Sequence, residues 1–186
     1  SSYSEVRMRI PGFFPLLLAC VLVFGSGVLA AHAASDAPST ATRDFARFSA
    51  RLPEGWDGEE RTAFRSGNDD ECMLVLGLKD PAGDNYKALV SVFVLPNEKN
   101  GTSQSIAEDL RQFQAEATEA RQDGHYWSFS GEPRSQTFKA PALTRVHATP
   151  GMVLIALIQD PENQGALAVF DSLKGLTPQT RELLGQ

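Results

Sequence analysis

The sequence predicts an α+β domain: an α/β/α sandwich with a central, largely antiparallel sheet and helices on its faces. Three observations predict it. Short stretches with strand periodicity recur between residues 45 and 160, separated by turn residues. Two of them, "YKALVSVFVLP" (Tyr86–Pro96) and "MVLIALI" (Met152–Ile158), are apolar on both faces, as strands covered on both sides are. Amphipathic helical patterns then interrupt the strands twice, giving the order strands, helix, strands, helix.

Residues 1–33 stand outside this domain. Arg7 and Arg9 flank Met8, "FFPLLLACVLVFGSGVLA" (Phe13–Ala30) is apolar and uncharged, and Ala31 and Ala33 have signal-peptidase spacing. A basic start, an apolar middle and a small-x-small exit describe a secretory signal peptide, cleaved after Ala33. Met8 is then the natural start, preceded by read-through residues, and the mature protein is periplasmic or secreted. Two other readings stay open. The apolar run is close to the roughly 20 residues of a membrane span, so an uncleaved segment could tether the chain. "LLAC" ends at Cys20 as a lipid-modification site would, but leaves "VLVFGSGVLAA" facing water. Residues 34–44 read as a flexible, Pro-containing leader, and residues 45–186 as a single domain.

Phe48, Ala50 and Leu52 alternate with polar residues, as in a half-buried strand. Pro53 lacks an N–H and Gly55 permits a sharp turn, so the strand stops and Trp56 folds back over the core edge. "ERTAF" (60–64) is a weaker strand, "SGNDDE" (66–71) a polar turn and "CMLVLGLKD" a strand. "DPAGDN" (80–85) is a turn before the long strand Tyr86–Pro96. Ser105 and Glu108 fit a capping box, and Ile106, Leu110, Phe113 and Ala117 mark one face of a helix that Gly124 stops. "HYWSFSGEP" and "SQTFKAPA" read as strands, and "LTRVHATPGMVLIALIQD" as a hairpin with a type II turn at Pro150-Gly151. Asp160-Pro161 opens a last helix, with Ala166, Val169, Phe170 and Leu173 facing inward and Gly175 at its end. "TPQTRELLGQ" is a short, half-helical tail.

"FSARLPEGW", "LVSVFVLP", "SIAEDLRQF" and "VFDSLKGL" occur in an order that resembles PsbP-like and Mog-type domains, a group that includes bacterial periplasmic DcrB-like proteins. The resemblance covers roughly residues 45–176 and implies the α/β/α sandwich. Relatives include an extrinsic photosystem subunit and a partner of the nuclear GTPase Ran. What the group shares is a non-catalytic domain that binds or stabilises something else, and no residue here matches either relative's binding surface.

Charge and cysteine content exclude several classes. The chain has 17 basic and 23 acidic residues. Two of the former and one of the latter lie in residues 1–33, which leaves 15 and 22, a net charge of −7. Without a Lys/Arg cluster, no nucleic-acid partner is expected, because that binding requires phosphate neutralisation. No polybasic membrane patch is present, so membrane contact is expected only through an uncleaved signal segment. Cys72 alone remains after cleavage and reads as a small buried hydrophobe.

No metal motif, nucleophile elbow, phosphate loop or dinucleotide fingerprint is present, so no cofactor and no metal are expected. The acidic turn Asn68–Glu71 lacks the glycine and distal Glu of a calcium loop. Asn100-Gly101-Thr102 is a glycosylation sequon in form. The candidate binding residues are Trp56, Tyr126, Trp127, Arg145 and His147. Trp56 and the aromatic "HYWSF" stretch offer binding anchors if they are exposed. On a strand, His125, Trp127 and Phe129 share one face and Tyr126 the other. Arg145 and His147 share a face at i and i+2 on a sheet edge, a polar pair able to hold a carboxylate.

These residues support two expectations. One is an exported, non-catalytic binding or accessory domain of the cell envelope, contacting a protein partner or small ligand. The alternative is an envelope hydrolase using His125 or His147 with nearby acids, which requires a histidine within hydrogen-bond reach of Asp, Glu or Ser.

Overall fold

The computed structural model describes residues 40–62, 71–134 and 138–186. The proposed signal peptide lies outside them, and no helix of the described residues is long and apolar enough to cross a membrane.

An eight-stranded antiparallel sheet forms the centre. Seven of its strands follow the order β3 (Trp56–Thr62), β4 (Cys72–Lys79), β5 (Tyr86–Pro96), β10 (Met152–Gln159), β9 (Ala142–Ala148), β8 (Tyr126–Pro133) and β6 (Gln114–Ala115). β7 (Arg121–Asp123) pairs with β8 beside β6. A second, three-stranded sheet has the order β1 (Thr40–Asp44), β2 (Phe48–Pro53), β11 (Lys174–Gly175). The last residues of the expected leader are therefore β1, paired antiparallel with β2 from Thr40 onward.

Strand alternation sorts the apolar residues onto two cores. Cys72, Leu74, Leu76, Val90, Val92, Val94, Leu154 and Ala156 face one way, toward Phe48 and Ala50 of the small sheet. Met73, Val75, Leu89, Phe93, Leu95, Val153, Ile155 and Leu157 face the other. Both-sided burial of β5 and β10 follows from their apolar runs, Ala88–Leu95 broken by Ser91 alone and Met152–Ile158 unbroken. The sequence-based expectation of full helical layers contracts to a β-rich α+β fold with few helices. α1 (Ser103–Leu110) contributes Ala107 and Leu110 to the second core. α2 (Ala166–Asp171) and α3 (Pro178–Leu183) join the small sheet over the first.

The stretch around Trp56 is a corner between sheets. β2 ends at Pro53, Gly55 turns with φ +85°, and Trp56 opens β3. Trp56 is only 9 % exposed and packs with Leu52 in the first core, so it presents no exposed anchor. The strand expected at 60–64 begins four residues earlier, because Trp56 already pairs with Leu78.

Several other elements differ from their predicted forms. α1 is capped by Thr102 and Ser105, which form the reciprocal box one turn before the expected one. It stops at Leu110, passes through a 3₁₀ turn (Arg111–Phe113) and becomes extended at Gln114. Tertiary pairing overrides helix propensity there: Gln114 and Ala115 pair with Pro133 and Glu132, and buried Gln114 donates its side-chain amide to Thr144 Oγ1 at 2.9 Å. Phe113 and Ala117 still reach the second core, from the 3₁₀ turn and from irregular backbone after it. Gly124 (φ +59°) turns the β7–β8 hairpin rather than ending a helix. Phe138–Pro141 is irregular rather than a strand. Gln159 donates to the Phe138 and Ala140 carbonyls and so satisfies backbone that no neighbouring strand pairs. Gly151 is not at positive φ, so the β9–β10 turn is not type II. Helix α2 starts at Ala166, five residues after Pro161, and Asp160 caps it from a distance by accepting from Gln164, Gly165 and Ala166 N–H. Its predicted inward residues Ala166, Val169, Phe170 and Leu173 are all buried. Gly175 lies in β11 rather than at the helix end.

Candidate functional site

Three of the five sequence-predicted binding residues, Tyr126, Arg145 and His147, meet on the face of the sheet that carries the first core. β9 places Arg145 and His147 two residues apart, beside the start of β8. β9 lies between β10 and β8, so this is the interior of the sheet and not the expected edge. The Arg145 side chain is only 13 % exposed. Its guanidinium lies 5.5 Å from the Tyr126 ring centre and 5.4 Å from that of Phe170, and it pairs with Asp171 at 3.0 Å and Asp123 at 3.3 Å. Two carboxylates and two aromatic faces thus compensate a largely buried cation. Burial pushes the Tyr126 hydroxyl up to about 12, an effect Arg145 partly opposes and Asp171 adds to, so it stays protonated at neutral pH.

His125 belongs to the same cluster and not to the Trp127 face, because it sits in the β7–β8 turn and not on the strand. Its ring stacks on that of His147 with centroids 3.6 Å apart and planes 22° apart. Each ring donates to a backbone carbonyl: His125 Nε2 to Leu183 O and His147 Nδ1 to His125 O, both at 2.9 Å. Desolvation holds His147 below the usual histidine range. The His125 carbonyl opposes this, the His125 ring adds to it, and Glu182 opposes it.

Trp127 stands on the opposite face, half-buried against the second core. It lines an open cleft of about 630 Å³ between the start of α1 and the β9–β10 turn. Asn100, Thr102, Ser103, Gln104 and Thr149 line the rest, with Gly101, Ala148 and Pro150. Asn97 ties together the two loops that form the cleft. Its side-chain amide donates to Gly101 O at 2.9 Å and Thr149 O at 2.7 Å, and its Oδ1 accepts from Gly101 N. Ser103 Oγ accepts from Ala148 N–H at 2.8 Å and ties α1 to the end of β9. Sequence reasoning found Trp127 but missed the rest of this wall. Its polar residues come from a loop that reads as an ordinary connection, and only the chain's return through β8 and β9 brings Trp127 against it.

Among the described residues no three His, Cys, Asp or Glu side chains group as metal ligands. Cys72 is fully buried, and its thiol is pushed up to about 12 by desolvation and by Glu60, with Arg47 opposing. Asn68–Asp70 of the acidic turn lie outside the described residues, and Glu71 is buried.

No family model matches the chain, and no curated protein matches it. Among solved structures the chain is similar to the solution structure of cyanobacterial PsbP (CyanoP) from Synechocystis sp. PCC 6803. Identity is 15 %, the TM-score is 0.41, and the likeness covers 80 % of this chain and 99 % of that one. So loose a likeness transfers neither chemistry nor partner.

Proposed function

We propose that the chain is a non-catalytic binding or accessory module of the cell envelope, which engages a protein partner or small ligand at the Trp127 cleft. The observation that carries this reading is the cleft itself. It has the volume of an ordinary ligand site, one large aromatic ring and a ring of hydrogen-bonding groups. The envelope assignment rests on the signal-like pattern of residues 1–33, and the PsbP-like, DcrB-like character on the short motifs quoted above.

A second reading, an envelope hydrolase, draws on the convergence of His125, Tyr126, Arg145 and His147. A general base needs a ring nitrogen aimed at a nucleophile or water and an orienting acid on the other. Here His125 Nε2 and His147 Nδ1 are bonded to backbone carbonyls, and the nearby carboxylates Asp123 and Asp171 are bonded to Arg145. That arrangement favours a packed, charge-compensated joint over a catalytic dyad.

The test is retention of material from envelope extract by the immobilised full chain, with mass spectrometry reading proteins and small molecules together. The expected result is retained material that Trp127→Ala loses and His147→Asn keeps, with both variants giving wild-type circular dichroism. Retention indifferent to Trp127, or turnover of a model ester that depends on His147, overturns the binding reading.

A further inference from the structure

We infer that the Trp127 cleft is a site for a neutral saccharide, a ligand class that rests on the binding-module reading and narrows it. None of the nine described lining residues carries a charge, although the chain as a whole is acidic. A cleft with no ionic group gives no preference to phosphate, carboxylate or ammonium ligands, because desolvating such a charge without a partner is costly. What the walls offer instead is a matched pair of chemistries.

The first is the Trp127 indole, half-buried against the second core and lining the cleft. A flat, rigid aromatic face suits a ligand with one apolar side, such as the C–H face of a pyranose ring. The second is a set of groups that donate and accept together. The Asn100 and Gln104 side chains are exposed and form no hydrogen bond among the described residues. Each offers one acceptor oxygen and two N–H donors. Thr102 and Ser103 accept backbone N–H bonds from Ser105 and Ala148 and keep their hydroxyl protons to give. Sugar hydroxyls are themselves donor and acceptor at once, so amides and hydroxyls match them without a charge.

The openings of the helix do not explain the cleft on their own. The Thr102–Ser105 box already occupies the Ser105 N–H, and the Asn97 clamp occupies that of Gly101. A proline-rich peptide is the other neutral ligand that docks on tryptophan, but such grooves present successive aromatic ridges. Among the described residues Trp127 is the sole aromatic lining this cleft. The volume of about 630 Å³ leaves room for more than one sugar ring across the open side.

The experiment is titration of the ¹⁵N-labelled full chain with neutral oligosaccharides at millimolar concentration. The set spans α-1,4-glucan, β-1,4-glucan and β-1,4-N-acetylglucosamine trimers, with an oligogalacturonate and a proline-rich decapeptide as controls. The expected result is saturable shifts of the Trp127 indole and the Gln104 and Asn100 side-chain amides with at least one neutral trimer and none with the oligogalacturonate. Trp127→Ala should weaken that binding at least tenfold, and Trp127→Phe much less. Gln104→Ala, on the exposed first turn of α1, tests the polar wall without touching the core and should weaken binding severalfold. Shifts with the peptide alone, or with no neutral trimer while Trp127→Ala still loses its envelope material, overturn the saccharide and leave the binding module standing. If Trp127→Ala also retains that material, both fall.

Discussion

The two faces of the central sheet bury equally apolar strands but are covered in different ways. Over the first core lie β2 and β11, α2 and α3, with fully buried Phe48, Ala166 and Leu183. The cover fits so closely that a methyl group at Gly175 would lie 2.3 Å from the Arg181 backbone nitrogen. Over the second core lies α1, followed by a 3₁₀ turn and a meandering segment, with Ile106, Phe113 and Trp127 only partly buried. A tightly covered face stabilises the fold. A loosely covered one leaves a cleft whose walls are still fixed by the sheet beneath. Binding surface and stability are therefore expected to separate by face.

The largest test of that separation compares leucines in the two covers. Leu183 of α3 is fully buried, whereas Leu110 of α1 is 7 % exposed beside a more open layer. Leu183→Ala should cost about 4 kcal/mol and Leu110→Ala about 2 kcal/mol, because a cavity costs most where neighbours cannot collapse into it. Urea unfolding of both variants measures it. Equal losses would mean that the two covers are equally packed and that the cleft is a local indentation.

Gly175→Ala comes next, at about 3 kcal/mol, the upper part of the usual cost of overpacking. The added methyl meets backbone of Thr180 and Arg181, not the end of a flexible side chain, so α3 must lift from β11. Amide exchange should rise in residues 178–186 and stay unchanged in α1. Exchange that rises in both would show that the covers are coupled through the sheet, against the comparison.

How far the sequence could be read also divides by face and by distance. β4, β5 and β10 are legible because their alternation and apolar runs are local properties, and Ala166, Val169, Phe170 and Leu173 fall on one side of a helix by spacing alone. Residues 111–123 were not, because the same apolar spacing at Ile106, Leu110, Phe113 and Ala117 is met by a helix that stops at Leu110 and an extended segment that follows. The choice is made by pairing of Gln114 with Pro133 and by its amide bond to Thr144, contacts 19 and 30 residues away that no local pattern encodes. Of the candidate site, Trp127 was readable as an aromatic on a strand, and Arg145 with His147 as neighbours on one face. The stacking of His125 on His147 was not, since one ring comes from a hairpin turn whose place on the sheet is set by β7–β8 pairing.

The smallest expected effect probes the polar end of the tightly covered face. His147 contacts the β7–β8 turn through the His125 carbonyl, stacks on the His125 ring and faces Glu182 of α3. Next to it on the same strand, Arg145 is balanced by Asp123 of β7 and Asp171 of α2, with protonated Tyr126 beside it. Desolvation depresses the folded-state pKa of His147, so below about pH 6.5 the unfolded chain takes up a proton that the folded chain resists. Stability should then be flat above neutrality and fall as pH drops from the unfolded value toward the lower folded one. Glu182 limits the slope, as does the partial exposure of the ring, so the change should be a small fraction of the loss at Leu183. His147→Asn keeps an amide N–H in place of Nδ1–H for the His125 carbonyl but cannot titrate. Urea midpoints of wild type and variant between pH 7.5 and 5.5 should converge at acid pH, with the variant the flatter of the two. The other titratable groups are common to both chains, so the difference between the two profiles reads the His147 ring. A wild type as flat as the variant would mean that water reaches the stacked rings freely, and that this end of the tightly covered face is as open as the Trp127 side.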